Sequence, residues 1–592
     1  IIDRKMSKLV WQRSEPIRVT NEIQPIELTE PKPGVYVFDM GQNMVGWCRL
    51  NVQNVPGATI VMKHNEMLNP DGTVYMDNLH AGHLGKGDRQ MIRYTCKGGG
   101  DEAYEPHFTY MGFRYVEVTG LKARPSLHLL TGVVFHTSFQ VTGSFSCSNP
   151  LVNRLVENIQ WSQRGNMMGI PTDCPQRDER CGYSGDAQFF MPTAIYNMDM
   201  AAFLNKWLVD LCQDSQHVQG YYGDHAPDYG PGGSNVGWQD AGIIIPYIAY
   251  QTYGDIRILQ EHYKTMKCFL QYLDNTCNPD HTRGPDCIGN GDWLNLGGGA
   301  SREVIGSAYY FFVYQLMSEI AEAIGEKEDA ISFSQRAELI KAAFIEHYLT
   351  PNGEIVNSSQ TGYALCFTMG LAPNSLKEQL VEGFSAEMEK FNGRLATGFI
   401  GTPRLLPALH QAGLDDLAYR LLLGEEYPSW LYPVTLGATT IWERWDGWTP
   451  DRGFQDSGMN SFNHYAFGSV GEYLFSVVGG IKSMEPGYRK IQIQPVICHG
   501  ITWARTTYES ISGQITTSWK VEGDRIKIEV SIPTNTMAIV YLPTRKIETI
   551  FESGLPIVNS KGVIVVGLDE TSVVLHVVSG YYCFDIDNEV VR

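Results

Sequence analysis

Ser148-Asn149-Pro150-Leu151-Val152-Asn153-Arg154-Leu155-Val156-Glu157-Asn158-Ile159 marks the point where the texture of this chain changes. Upstream, apolar residues alternate at period two; from here they recur at three and four. Ser148 and Asn149 are helix-capping residues. Pro150 suits a first helical turn, where its missing N–H leaves no helix bond unmade. Leu151, Val152, Leu155, Val156 and Ile159 then follow helical spacing. The same texture returns at 200–213, 241–253, 256–274, 303–324, 327–348, 375–390, 403–411 and 413–423. Gly-, Asp- and Trp-rich loops such as 219–240 and 284–300 lie between them. Paired helices joined by alternating short and long loops point, by analogy, to an α/α toroid with its site at the long-loop end.

Strand texture flanks this region on both sides. Gly34-Val-Tyr-Val-Phe-Asp-Met-Gly, Thr59-Ile-Val-Met-Lys-His and Phe113-Arg-Tyr-Val-Glu-Val-Thr-Gly alternate, and Asn69-Pro-Asp-Gly-Thr is a hairpin turn. Lys490-Ile-Gln-Ile-Gln-Pro-Val, Gly513-Gln-Ile-Thr-Thr-Ser-Trp, Arg525-Ile-Lys-Ile-Glu-Val-Ser-Ile and Met537-Ala-Ile-Val-Tyr-Leu repeat the pattern, as antiparallel strands covered on one face do. The expected fold class is multidomain α+β. Its parts are a linker or remnant of an upstream β-domain at 1–33, a β-sandwich at 34–145, a helical catalytic domain at 146–478 and a second β-sandwich at 479–592.

The 592 residues carry a formal net charge of −19, which argues against nucleic acid or an anionic membrane as the main partner. Twelve cysteines are too few for a disulfide scaffold, and Cys48, Cys366, Cys498 and Cys583 sit in apolar contexts as buried thiols would. Reduced thiols and the absence of an apolar leader in Ile-Ile-Asp-Arg-Lys give a cytoplasmic expectation, although a signal upstream of Ile1 stays open. No apolar run is long enough for a membrane span.

The chemistry concentrates in two loops. Pro171-Thr-Asp-Cys-Pro-Gln-Arg-Asp-Glu-Arg-Cys-Gly-Tyr-Ser-Gly-Asp-Ala-Gln188 holds Asp173, Asp178, Glu179 and Asp186 with Arg177 and Arg180. Neither a helix nor a strand face explains that mixture; a polar site on a rigid scaffold does. Thr439-Thr-Ile-Trp-Glu-Arg-Trp-Asp-Gly-Trp448 places Glu443 between Trp442 and Trp445, an apolar setting that raises a carboxyl pKa. Glycosidic cleavage needs one carboxylic acid to protonate the leaving oxygen and a second carboxylate to attack or to activate water. Dinucleotide, Walker A, zincin and nucleophile-elbow motifs are missing. His217, Asp224, His225 and Asp228 lack a diagnostic metal spacing. No cofactor and no metal are expected.

These loops resemble the signature of inverting α-L-rhamnosidases, glycoside hydrolase family 78. Asp173 to Ala187 is similar to its long first motif. Trp442-Glu443-Arg-Trp445-Asp and Asn463-His464-Tyr-Ala-Phe-Gly are similar to later motifs, in the same order. Gly34 to Trp47 resembles the β-sandwich before that family's barrel, and Pro486-Gly-Tyr-Arg-Lys the start of its C-terminal sandwich. The resemblance implies a central (α/α)6 barrel flanked by N-terminal and C-terminal antiparallel β-sandwich domains. It implies Glu179 as general acid and Glu443 as general base. Asp173, Arg177 and Asp186 then hold sugar hydroxyls, Trp238 and Trp293 line the subsite, and His464 contacts the ligand. Trp442 and Tyr183 join the substrate-binding set. Tyr183 stands where the family usually has Trp, and Cys181 where an apolar residue is common. Against that family, the extra N-terminal β-domains of larger members are expected to be absent or truncated.

Each residue also has a plainer reading. Asp173 and Asp186 can cap loops. Arg177 can be a structural ion-pair partner and Glu443 an ion-paired glutamate beside Arg444; Trp238 and Trp293 can be loop anchors and His464 a core histidine. Two other functions stay open: an inverting toroid enzyme for a different sugar, and a non-catalytic carbohydrate-binding protein. For the rhamnosidase reading the expected partner is a small-molecule or oligosaccharide rhamnoside, and a homodimer is compatible. Inversion implies carboxyls about 6.5–9.5 Å apart. The sugar's methyl group calls for an apolar wall, for which Tyr183, Trp238, Trp293, Trp442 and Trp445 are candidates.

Overall fold

The computed structural model describes residues 11–80, 89–228, 233, 235–284 and 289–588. Its first sheet is built from β1 (Ile17–Ile23), β2 (Glu27–Lys32), β3 (Val35–Val52), β4 (Thr59–Asn65), β5 (Met91–Thr95), β6 (Glu102–Tyr104), β7 (Met111–Thr119) and β8 (Leu130–Thr137). The strand order is β1-β8-β3-β7-β4-β5, with β2 and β6 on β3, and the pairs are antiparallel. The long β3 pairs with β7 up to Gly46 and with β8 from there, and its register slips between Asp39 and Met44. A bulged strand of this kind bends a sheet over its own core. Phe38, Leu50, Ile60, Met62, Phe113 and Val116 fill that core.

Residues 17–32, expected as a linker or remnant, are therefore strands of this sheet. β1 is almost wholly exposed, so the apolar alternation that announces a half-buried strand is missing from it. The expected boundary at 145 also moves. β9 (Gly143–Cys147) pairs with a strand of the C-terminal sheet, not with β8.

Thirteen α-helices follow among the described residues: α1 (Pro150–Asn166), α2 (Ser184–Asn197), α3 (Ala201–Val209), α4 (Ala241–Tyr253), α5 (Arg257–Thr276), α6 (Arg302–Ile324), α7 (Lys327–Tyr348), α8 (Gln360–Thr368), α9 (Lys377–Lys390), α10 (Thr402–Gln411), α11 (Asp415–Leu422), α12 (Leu431–Thr435) and the single turn α13 (Gly471–Tyr473). Asn149 caps α1 as its sequence predicts, with its side-chain oxygen accepting from Leu151 N at 2.9 Å and Val152 N at 3.3 Å. Helices α2, α4, α6, α8 and α10 each pack on the next, and the segment 466–470 touches both α10 and α2. The inner helices thus make a closed ring of neighbours, and α5, α7, α9 and α11 pack outside it. α2 and α8 have no counterpart among the helices expected from the sequence. Their residues are buried on nearly every face, so neither carries an amphipathic period.

A short hairpin, β10 (Trp448–Thr449) and β11 (Gly453–Phe454), precedes the second sheet. That sheet comprises β9, β12 (Ile481–Ser483), β13 (Lys490–Ile493), β14 (Trp503–Ser510), β15 (Gly513–Glu522), β16 (Arg525–Leu542), β17 (Phe551–Glu552), β18 (Leu555–Pro556), β19 (Val563–Leu568) and β20 (Val573–Asp587). Its pairs are antiparallel except β13 with β16, which run parallel, a departure from the all-antiparallel expectation. No described helix is long and apolar enough to cross a membrane.

Candidate active site

The loop between α1 and α2 brings its charges inward. Arg177 is buried and stands at the centre of four side chains. Its Nε donates to Glu179 Oε2 at 2.6 Å, while Nη1 and Nη2 donate to Glu443 Oε2 and Oε1 at 2.8 and 3.1 Å. Asp173 Oδ2 lies 3.5 Å from Nη2, and Met459 Sδ is also 3.5 Å away. One guanidinium thus binds the two glutamates by different edges, joining residues far apart in the chain. The turn is tight enough that Arg180 adopts a positive φ of 53°, with its guanidinium over the Tyr110 ring at 4.1 Å.

Glu443 accepts a further hydrogen bond from Ser461 N at 2.7 Å. Burial alone would raise its pKa, the direction expected from its Trp neighbours. The bidentate Arg177, with smaller help from His464 and the Ser461 N–H, outweighs burial and brings the pKa down to about 2. Glu443 is therefore ionised at neutral pH. Asp173 moves the other way: burial first, then the charge of Glu179, raise its pKa in spite of Arg177. Asp173 Oδ1 accepts from Cys181 N at 2.8 Å and Oδ2 from Cys174 Sγ at 2.7 Å. Asp173, Cys174 and Glu179 present donor atoms within 4.8 Å of one another. Arg177 already supplies the countercharge that a cation would bring to that cluster.

Tyr183 ends the loop, and its hydroxyl donates to Glu179 Oε1 at 2.8 Å. Burial and the charges of Glu179 and Asp173 push the phenol far above its ordinary value, so it stays protonated and donates. Asp186 lies in the first turn of α2, 3.2 Å from His464 Nε2. Burial opposes the charge on His464, but Asp186, Glu443 and Asp173 raise its pKa. Gly185 lets the Trp238 indole lie against the start of α2: a Cβ there would sit 2.5 Å from the ring. Trp293 is held from behind by Phe399 N, which donates to its carbonyl at 2.9 Å. Beside it the buried Asp292 accepts from Thr361 Oγ1 at 2.5 Å and from the backbone N–H of Gly398, Ile400 and Gly401 at 2.8–3.1 Å.

Asp173, Arg177, Glu179, Tyr183, Asp186, Trp238, Trp293, Glu443 and His464 converge on one open cavity of about 270 Å³. Its size and its mixed aromatic and charged lining suit a small polar ligand. Trp442 does not join them. It and Trp445 line a separate small void with Trp430, Val434 and Phe467, and Trp445 stacks on Phe467. The backbone that aims Glu443 into the cavity turns both neighbouring indoles away from it, so these two side chains are core. Asn290, Phe399 and Met459 complete the cavity wall and carry no sequence signal of their own. Phe399 packs 5.2 Å from the His464 ring.

The comparisons follow this geometry. Residues 140–478 match the bacterial α-L-rhamnosidase six-hairpin glycosidase domain, more than half of the chain. The chain belongs to this family. Residues 29–136 match its concanavalin-like domain and 480–554 its C-terminal domain. An α-L-rhamnosidase of Streptomyces avermitilis is 43% identical over 90% of this chain and 51% of its own length. A crystal structure of Streptomyces avermitilis α-L-rhamnosidase complexed with L-rhamnose superposes with a TM-score of 0.92 at 40% identity, over 98% of this chain and 54% of that one. The α-L-rhamnosidase from Dictyoglumus thermophilum gives 0.90 at 33% identity, over 97% and 64%. The chain thus spans about half the length of the curated relatives it matches.

Removal of the Tyr183 hydroxyl frees Glu179 Oε1 without opening the cavity. A hydrogen bond to a charged group contributes about 1.5–3 kcal/mol. Tyr183→Phe is therefore expected to lower kcat about 10–100-fold with little change in KM. An unchanged kcat in steady-state assays would assign the Tyr183 ring to packing alone.

Proposed function

We propose that the chain hydrolyses terminal non-reducing α-L-rhamnosyl residues from rhamnosides by a single displacement with inversion. The observation that carries this reading is the pair Glu179 and Glu443, bound to separate edges of one buried Arg177 and facing one cavity. Glu179, in its protonated form, donates to the glycosidic oxygen. Ionised Glu443 takes a proton from the water that attacks the anomeric carbon from the opposite face. Glu443 is held as a carboxylate by Arg177, and Glu179, the more exposed of the two, accepts from Arg177 Nε on one oxygen and from the Tyr183 hydroxyl on the other. Asp186 and His464 are placed to grip sugar hydroxyls. Trp238, Trp293 and Phe399 supply the apolar wall suited to a 6-methyl group.

The closed ring of inner helices with partners outside it supports reading this region as an (α/α)6 barrel. We assign it as the catalytic domain at 146–478. The first flanking β-domain gains 17–32 from the expected linker, and the second gains β9.

Product-anomer analysis by NMR on p-nitrophenyl α-L-rhamnoside tests the reading. The β-anomer of L-rhamnose is expected to accumulate before mutarotation. First-formed α-anomer would mean a retaining enzyme, and release from a different glycoside in the panel would mean another sugar. Sugar binding without turnover would leave a carbohydrate-binding protein.

A further inference from the structure

Behind the base lies another buried carboxyl, contributed from outside the helical region. Glu66 directly follows β4, and 2% of its surface is exposed. Three N–H groups converge on it: Asn43 Nδ2 on Oε1 at 3.0 Å, and Phe462 N and Asn78 Nδ2 on Oε2 at 2.9 and 3.4 Å. All three are donors, the complement of an ionised carboxyl. Burial still pushes its pKa up to about 7, against the Phe462 and Asn43 bonds and the field of Arg177.

The Phe462 N–H belongs to the peptide that follows Ser461. Ser461 N donates to Glu443 Oε2 at 2.7 Å, and Ser461 O accepts from Glu443 N at 2.9 Å. The 461–462 segment is therefore gripped by the base on one side and by Glu66 on the other. Asn78 adds two bonds, donating to Asn460 O at 2.9 Å and accepting from Gln176 Nε2 at 3.3 Å. Gln176 in turn accepts from Ser461 Oγ at 2.8 Å and immediately precedes Arg177. Residues of the first sheet thus touch both segments that hold the base and its guanidinium.

We propose that Glu66 is a positioning residue for the general base, which makes the first β-domain a working part of the hydrolytic site. The proposal rests on Glu443 being that base. Ser461 N–H fixes one oxygen of Glu443 and so sets where the other points. If Glu66 lets go of Phe462 N, the 461–462 peptide can rotate, carrying Ser461 O away from Glu443 N and loosening the Ser461 backbone whose own N–H holds the base. A misplacement of about 1 Å at a reacting group costs about 100-fold in rate. Glu66 does not line the cavity, so its loss leaves the sugar contacts in place.

Two variants of the full chain test this. Glu66→Ala removes the acceptor. Glu66→Gln keeps one for Phe462 N. Its added N–H, which replaces the oxygen facing Asn43 Nδ2, is met when the Asn43 amide turns over and presents Oδ1, an atom with no hydrogen-bond partner among the described residues. On p-nitrophenyl α-L-rhamnoside, below the unfolding transition of each variant, E66A is expected to lose about 30–100-fold in kcat with KM nearly unchanged. E66Q is expected to recover most of that loss. A folded E66A with wild-type kcat, or a loss carried by KM, would overturn the proposal. If the wild-type chain does not cleave the rhamnoside, the activity assignment fails separately. Amide hydrogen exchange over 460–463 then decides the positioning claim: E66A must speed it and E66Q must not.

Discussion

Glu443→Gln is expected to lower kcat by about three orders of magnitude on every rhamnoside, whatever the leaving group. A base activates the attacking water, so its loss is felt however readily the aglycone departs. Glu179→Gln is expected to behave differently. A p-nitrophenolate leaves without being protonated, so this variant should retain much of its rate on the nitrophenyl substrate. It should lose about 10²–10⁴-fold on an alkyl rhamnoside, whose alkoxide needs a proton. The structure makes the contrast sharp because both glutamates share Arg177 while only Glu443 is locked by two guanidinium bonds and a backbone N–H. Gln at either position keeps the volume, so thermal unfolding should confirm a folded chain. The measurement is kcat for each variant on both substrates. Equal losses for Glu179→Gln on the two substrates would remove its role as acid, and a near-normal rate for Glu443→Gln would remove the base.

How much of this could be read from the chain depended on what each residue contrasts with. The outer helices α5 and α7 carry one buried face, and their spacing predicts them to within a few residues. α2 and α8 have no exposed face to set off a buried one, so period carries no information there. The loop 171–188 stood out because its charges are costly to bury unless they serve one another, and Arg177 turns out to be the residue they serve. Spacing does not say which way neighbours point in irregular backbone, so Trp442 and Trp445 were grouped with Glu443 although they face the core. Glu66 and Phe399 sit in ordinary surroundings in the sequence. Their roles come from segments hundreds of residues apart meeting, as Glu66 meets Phe462.

Arg177→Met should invert the contribution of Glu443 to the pH dependence of stability as well as abolish turnover. In the native chain Glu443 has a folded pKa near 2 against 4.5 for an unperturbed glutamate. A depressed carboxyl pKa adds stability above the unfolded value, and that stability is lost as pH falls from 4.5 toward 2. For this buried group the contribution at neutral pH is about 3 kcal/mol. Without the guanidinium, burial is opposed only by His464 and the Ser461 N–H, and the folded pKa of Glu443 is expected to rise above the unfolded one. The sign then reverses, because the folded state favours the protonated acid and stability is lost as pH climbs through 4.5 and beyond. Glu179 and Asp173 lose the same cation, and their repulsion adds in the same direction. Breaking a buried pair by removing one partner costs about 3–5 kcal/mol. Thermal unfolding of both proteins at pH 4.5 and 7.5 reads this directly. The variant should melt well below the native chain at the higher pH, and the gap should narrow at the lower one as the stranded carboxylates take up protons. Turnover should be absent at neutral pH, since a protonated Glu443 cannot accept a proton from water. A melting gap of the same size at both pH values would mean that Arg177 acts through packing, and that Glu443 owes its ionised state to something other than this guanidinium.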